Sequence, residues 1–248
     1  MNLILDAFAW LFDPSHLVGA NGIPTRIAEH LYYTFISIIL ASVIAIPVGY
    51  LIGHTGRGRE LAVGISGAAR ALPSFGLILL LVLLLGVTRK PEAAFIAFVL
   101  LAIPSILAGA YAGIEAVDRR VIDAAKAVGM TEWQILIKVE IPLGLPLLIG
   151  GLRTGALQVV ATVTLAAYVS LGGLGYYIFE GLPLRLYDEM LAGAILVAAL
   201  ALLLDAAFAG LQHLVVPRGV TAGRASEVRG TSSRRRTVME KPIEQGKG

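Results

Sequence analysis

The chain has 248 residues, of which 57% are apolar and 15% charged, with a formal net charge of +3. Soluble domains carry about a quarter charged residues, so this composition, with a mean hydropathy of +0.81, argues for a membrane protein. No cysteine is present, which excludes a disulfide framework and a Cys-based metal site.

The first stretch, MNLILDAFAWLFD (1–13), lacks the basic leader and small-residue cleavage site of a signal peptide. It is too short and too acidic to span. It reads as an interfacial helix with Trp10 and Phe12 near the headgroups, within an N-terminal segment covering 1–24. Five apolar stretches follow, 31–53, 61–86, 93–114, 144–170 and 190–213, each long enough for the about 20 helical residues that cross a bilayer. None alternates with period two, so helices must satisfy their backbone groups in lipid. The predicted fold is all-α and polytopic, with five spans in a transmembrane domain over 25–216. If the N-terminus lies outside, fourteen Lys and Arg fall on the inner loops and tail. Only Arg26, Arg89, Lys90 and Arg185 fall on the outer side. This asymmetry places the loop between the third and fourth spans, and the C-terminus, in the cytoplasm.

The second and third spans each contain a proline followed by serine, Pro73–Ser74 in LPSFG and Pro104–Ser105 in IPSIL. A proline frees a backbone carbonyl that a neighbouring hydroxyl can engage, and broken helices of this kind line paths through membranes. These four residues are candidates for a translocation path. The many glycines within the spans permit close helix packing instead.

Between the third and fourth spans lies a polar stretch. Read as a helix, 116–128 places Val117, Val121, Ala125 and Val128 on one stripe, with Asp118, Arg119, Asp123 and Lys126 away from it. Gly129 is a natural terminator. TEWQ then offers a capping box from Thr131 to Gln134, and Pro142 is expected to stop a second short helix before the fourth span. The unit is a helix, a glycine bend and a helix against the inner membrane face. Ala124 and Ala125 leave little side-chain bulk, as a surface received in a partner's groove requires. A solvated loop is the alternative.

Three ionisable residues lie inside spans: Arg70, Arg153 and Asp205. At about 1.5 Å per residue each sits roughly 12–14 Å from an inner helix end. Intramembrane charges usually pair, so Asp205 is expected to bridge Arg153 or Arg70, the alternative being that each snorkels to the interface. The four histidines (His16, His30, His54, His213) show no ligand spacing and read as packing or interfacial residues. The tail 217–248, rich in Gly, Ser, Thr and Arg, reads as a disordered basic segment that enforces topology. There is no phosphate-binding GxxxxGK[ST] and no nucleophile elbow. The chain is read as not an enzyme, with no bound cofactor, no metal site and no nucleic-acid partner.

In one known family the pattern Glu-Ala-Ala, three residues, Gly, nine residues, Ile-x-Leu-Pro recurs. Here it stands as Asp123-Ala124-Ala125, Gly129 and Val139-Glu140-Ile141-Pro142, with the spacing intact and the side chains mildly changed. The chain resembles the membrane subunits of ABC importers over roughly residues 25–215. GIPTRIAEHLYYT (22–34), ALPSFGL (71–77), AIPSILAGAYAGI (102–114) and GGLRTGALQVVATVTLAAYVSLGGLGYYIFEGL (150–182) are similar to the branch importing glycine betaine, carnitine and choline. The resemblance implies a location in the bacterial cytoplasmic membrane. It implies two ATPase subunits that hold ATP and Mg and receive the coupling helix, a second permease and an extracytoplasmic solute-binding protein. A permease for another small solute, such as methionine, is the nearest competing reading. An ion-coupled secondary transporter would need inverted repeats and more midplane acids.

Overall fold

The computed structural model describes residues 2–215, except the side chains of Leu61, Ile65, Ala69 and Arg70. The expectations for the tail 217–248 and for pairing by Arg70 lie outside that description. Every regular element among the described residues is helical. Four helical runs are long and apolar enough to cross a membrane: Ile23–Thr55, Val87–Glu115, Glu132–Val169 and Tyr187–Val215.

A short helix, α1 (Leu3–Leu11), precedes α2 (Ile23–Thr55). The first span therefore begins eight residues before the expected 31, with Pro24 in its first turn, where the missing N–H costs nothing. Gly56, at φ +68, ends it. The second expected span, 61–86, is not one helix. It is divided into α3 (Arg59–Ala71) and α4 (Ser74–Leu85), neither long enough to cross a bilayer alone. The cause is Pro73. Steric conflict with a proline ring drives the preceding residue out of the helical region, and Leu72 is extended at φ −70, ψ 130.

α5 (Lys90–Glu115) and α8 (Ile141–Ala166) form the centre of the bundle. They cross so closely that a Cβ on Gly109 would lie 2.7 Å from the Gly151 Cα, and one on Gly113 would lie 2.6 Å from the Gly144 carbonyl oxygen. Lipid tails are as apolar as side chains, so membrane helices associate through such small-residue approach. Gly49 and Gly53 of α2 likewise meet Ala110 and Ile114 of α5, while Tyr33 meets Phe95 and Phe98. α2 and α5 are thus parallel, and α8 runs antiparallel to both. The buried core around Phe98, Ile106, Val159 and Val163 lies among these helices, with Ile78 and Val82 of α4 packed into it. Glycines 64, 67 and 150 face open space and contribute nothing to this seam.

α6 (Arg119–Ala127) and α7 (Glu132–Ile135) follow α5, and α9 (Gly175–Leu184) and α10 (Tyr187–Val215) close the described chain. Pro142 does not stop the helix begun at Glu132. α7 passes through a π turn, Leu136–Glu140, directly into α8. A proline ring clashes with the carbonyl four residues back, here Lys138 within that wider turn. Proline at the start of α8 is accommodated by unwinding and not by termination.

Candidate functional site

The residues singled out by sequence fall into three places. The first is the α6–α7 unit. Asp118 caps α6, its carboxylate accepting from the Arg120 N–H at 2.9 Å, so the helix starts at 119 and not 116. At the other end the Gly129 N–H donates to the Lys126 carbonyl (3.0 Å) and the Met130 N–H to the Ala125 carbonyl (3.1 Å). That pair defines a Schellman closure, and it needs Gly129 at φ +84. The chain then turns into the capping box. The Gln134 N–H donates to Thr131 Oγ1 at 3.3 Å, and the Thr131 N–H donates to Gln134 Oε1 at 3.0 Å.

The inward face of this unit differs from the expected stripe. Val117, Ile122 and Ala125 are buried with Ile135 in a small cluster of their own. Val121 and Val128 point outward instead, Val128 being 78% exposed. A 3.6-residue period puts Ala124 midway between them on that outer face, where Ala124 and Asp123 are exposed. Trp133, 67% exposed, lies just beyond the bend. The result is a nearly bare helical ridge flanked by exposed apolar groups and supported from behind.

The support is polar and was not legible in the sequence. Lys126 Nζ reaches Glu132 at 2.8 Å, tying α6 to α7, and the Glu132 carboxylate holds the Lys126 ammonium above its ordinary pKa. Glu140, 4% exposed, meets His54 Nδ1 at 2.5 Å. His54 Nε2 stands 3.8 Å from Glu132. His54 ends α2, so the same imidazole contacts both the π turn and α7. A residue whose type and spacing suggest only packing or an interfacial place joins the first span to the loop. The 86 positions between His54 and Glu140 leave no local pattern to reveal it. Next to it Arg59 bridges Glu115 at 3.0 Å, and the Tyr111 hydroxyl donates to Glu115.

The second place is the interior pair. Arg153 Nε and Nη2 each lie 2.5 Å from one oxygen of Asp205, a two-pronged bridge between α8 and α10. Gln212 of α10 also donates to the Pro146 carbonyl of α8 at 3.0 Å, one of the carbonyls near the proline-rich start of α8.

The third place concerns the prolines. Pro73 is exposed and Ser74 half-buried at the α3–α4 break. Pro104 and Ser105 are buried within α5, and the Ser105 carbonyl oxygen lies 2.7 Å from where a Gly151 Cβ would be. The structure therefore places the first pair at an open break and the second in the packed α5–α8 seam.

At the opposite end of the bundle from α6 a second polar cluster appears. Arg26 donates to Glu29 (2.8 Å) and Asn21 (2.7 Å), Glu29 accepts the Gly173 N–H (2.9 Å), and the Tyr177 hydroxyl donates to the Asn21 carbonyl (2.7 Å). His30 is wholly buried beside it. The Leu174 N–H donates to its Nδ1, so the proton sits on Nε2, which donates to the Val160 carbonyl. The ring is a neutral strut between α2, α8 and the loop before α9. Among the described residues no group of three or more His, Asp or Glu is arranged to hold a metal.

An all-helical bundle with a glycine-laced centre, a broken second span and a capped loop unit defines a polytopic membrane protein. Residues 45–219 match the family described as binding-protein-dependent transport system inner membrane component. The chain belongs to that family. It is therefore a multi-pass protein of the cytoplasmic membrane and a transport subunit. The glycine betaine/carnitine/choline transport system permease protein OpuCB of Bacillus subtilis is 33% identical over 79% of this chain and 89% of its own length. The carnitine transport permease protein OpuCB of Listeria monocytogenes is also 33% identical, over 79% and 89%. The choline transport system permease protein OpuBB of B. subtilis is 32% identical over 77% and 88%. Among solved structures, an inward-facing form of the MetNI methionine ABC transporter superposes with a TM-score of 0.68 over 77% of this chain and 95% of that one, at 23% identity. That likeness concerns the fold.

Proposed function

We propose that this chain forms the translocation path of an ATP-driven importer for quaternary-ammonium osmoprotectants, with glycine betaine, carnitine and choline as the substrate class. The observation that carries the substrate class is the similarity, at about one residue in three over most of both chains, to permeases named for those solutes. The methionine reading rests on a likeness of fold at 23% identity and is the weaker. The N-terminus lies outside and the α6–α7 unit faces the cytoplasm, in keeping with the Lys and Arg distribution.

In this reading Ala124 and Ala125, with Asp123, Gly129 and Pro142, form the unit that docks on a separate ATPase. Two such ATPases, holding ATP and Mg, serve this chain and a second permease, and a solute-binding protein delivers substrate from outside. Ala124 sits on the ridge that enters the partner, with Val121, Val128 and Trp133 beside it. Ala125 packs inward and sets how closely α6 lies on Ile135. Closure of the ATPases moves the ridge. Because α7 runs through the π turn into α8 without a hinge loop, and His54 joins the same turn to α2, the displacement reaches two spans together. The outcome is a switch between inward-open and outward-open arrangements, biased by nucleotide. Pro73 and Ser74 at the break of the second span are candidates for the path itself. The Arg153–Asp205 bridge keeps α10 fixed to α8 during the movement.

The test is uptake. Proteoliposomes holding this chain with its ATPase and solute-binding protein are expected to accumulate labelled glycine betaine, carnitine or choline only when ATP is present on the ATPase side. Accumulation of methionine and none of these would overturn the substrate assignment.

A further inference from the structure

A cavity of about 480 Å³ opens at the end of the bundle away from α6, where α2, the end of α8 and α9 converge. Its volume lies in the range of small-molecule sites. The lining includes Arg26, Tyr168, Ser170, Tyr176, Phe179 and Glu180, an aromatic set with one acid and one buried base. Tyr168 and Phe179 meet edge-to-face with centroids 5.6 Å apart. Phe75, two residues after Pro73, meets Tyr168 at 5.2 Å. The aromatic series therefore runs from the break in the second span to the cavity.

Two features are unexplained by packing. Tyr168 leaves 57% of its surface exposed although the neighbouring residues Ala166 and Val169 are in the core. Arg26 is only 8% exposed, stacks at 3.9 Å over the Tyr176 ring and bonds Glu29 and Asn21, yet its buried Nε has no partner. That nitrogen has no accessible surface, so what the cavity meets is the charge of the guanidinium, the one cation among the described residues of its lining. Ser170, between them in the lining, is the left-handed residue that closes the helical run at the end of α8, its N–H donating to the Ala167 carbonyl and the Leu171 N–H to the Ala166 carbonyl.

We propose that this cavity is a transient substrate site for a zwitterion carrying a quaternary ammonium and a carboxylate. The inference rests on the osmoprotectant reading above and narrows it. A quaternary ammonium has no N–H to donate, so it is held by aromatic faces and a counter-charge. Tyr168 and Phe179 supply the faces and Glu180 the charge. A carboxylate is attracted by the Arg26 guanidinium, the cation of the lining. A solute with the ammonium alone is repelled by that guanidinium, so glycine betaine is preferred over choline here. Phe75 would take over the ammonium as the molecule moves inward toward the break at Pro73.

The experiment uses the assembled importer in proteoliposomes, with labelled glycine betaine and choline as probes at saturating solute-binding protein. Tyr168→Leu and Phe179→Leu are expected to lower glycine betaine uptake tenfold or more, while Tyr168→Phe keeps at least half. Co-purification of the ATPase with each variant verifies folding. Without the solute-binding protein, calorimetry on the assembled importer is expected to give glycine betaine binding at least fivefold tighter than choline, and Tyr168→Leu is expected to abolish it. If the wild type carries glycine betaine and both leucine variants stay within twofold of it, the cavity is not a substrate site and the permease reading stands. Choline binding as tight as glycine betaine would overturn the zwitterion preference. If the wild type carries none of glycine betaine, carnitine or choline, the substrate reading fails and the ligand class of the cavity fails with it.

Discussion

At the end of the bundle that starts α2, Arg26, Glu29, Asn21, His30 and Tyr177 pin the loop before α9 from several sides. At the other end α6 is attached through a small apolar patch, one Lys126–Glu132 bridge and the His54–Glu140 contact. Its outer ridge of Val121, Ala124 and Val128 is left uncovered. A many-sided polar lattice built on the buried Arg26, His30 and Tyr177 resists displacement, because each bond lost at these residues strands a buried donor or acceptor. A short helix on a few contacts can shift as a body. The difference teaches which end holds its shape and which end is free to receive a push. Between them the α5–α8 seam must be stiff, or the push would be lost.

The strongest way to break that arrangement is to part the seam. Gly113→Leu drives a side chain into the Gly144 backbone, which approaches to 2.6 Å of the new Cβ position. Overpacking costs about 1–3 kcal/mol even where side chains can yield, and backbone yields less. The expected outcome is loss of folded protein from the membrane fraction, measured by detergent-stable yield. Gly64→Leu, facing open space, is expected to leave the yield within twofold.

Next in size is the bend. A Cβ at Gly129 meets no atom within 4 Å, so the effect of Gly129→Leu comes first from the left-handed backbone at φ +84, a conformation costing roughly 1–2 kcal/mol for a residue with a Cβ. Insertion is expected to be normal and ATP-driven uptake to fall at least tenfold. Uptake within twofold of wild type would mean that the loop tolerates another bend.

A middle-sized effect is expected for the bridge between α8 and α10. Asp205→Leu leaves Arg153 unpaired and is expected to lower the melting temperature of the detergent-solubilised chain by several degrees. Removing both charges, Arg153→Leu with Asp205→Leu, is expected to recover most of that loss, since no charge is then left unpaired within the membrane. A double variant no better than the single one would show that the bridge itself holds the helices. The smallest effect is assigned to residues 222–248. Their deletion is expected to leave uptake within about twofold, and complete loss with normal insertion would assign the tail a regulatory or assembly role.

Four of the five expected spans were legible because hydropathy and length are summed over some twenty residues, and the bend and capping box because Gly129, Thr131 and Gln134 act within a few positions of themselves, whereas the Asp118 cap of α6 was not anticipated. What the chain did not disclose were properties of pairs far apart. His54 meets Glu140 across two spans, and Arg26 meets the loop at Gly173 through Glu29. The inner stripe of α6 differs from the expected one at two positions, Val121 and Val128, which face outward. Val121 and Ile122 are equally apolar, and only contact with Ile135 decides which turns inward. Proline was misjudged twice, in opposite senses. Pro73 breaks a span that composition made continuous, while Pro142 is absorbed by a π turn that composition does not announce.

The central claim is that the bare ridge of α6 is where the ATPase docks, and Ala124→Arg tests it most directly. Ala124 is exposed and makes no part of the buried cluster beneath α6. A large charged side chain there burdens a partner and not the chain itself. The account predicts membrane insertion and a melting temperature of the isolated subunit equal to wild type. It predicts that the ATPase is stripped during affinity purification of this chain. Recovery of the ATPase at wild-type stoichiometry with the Ala124→Arg protein would contradict it.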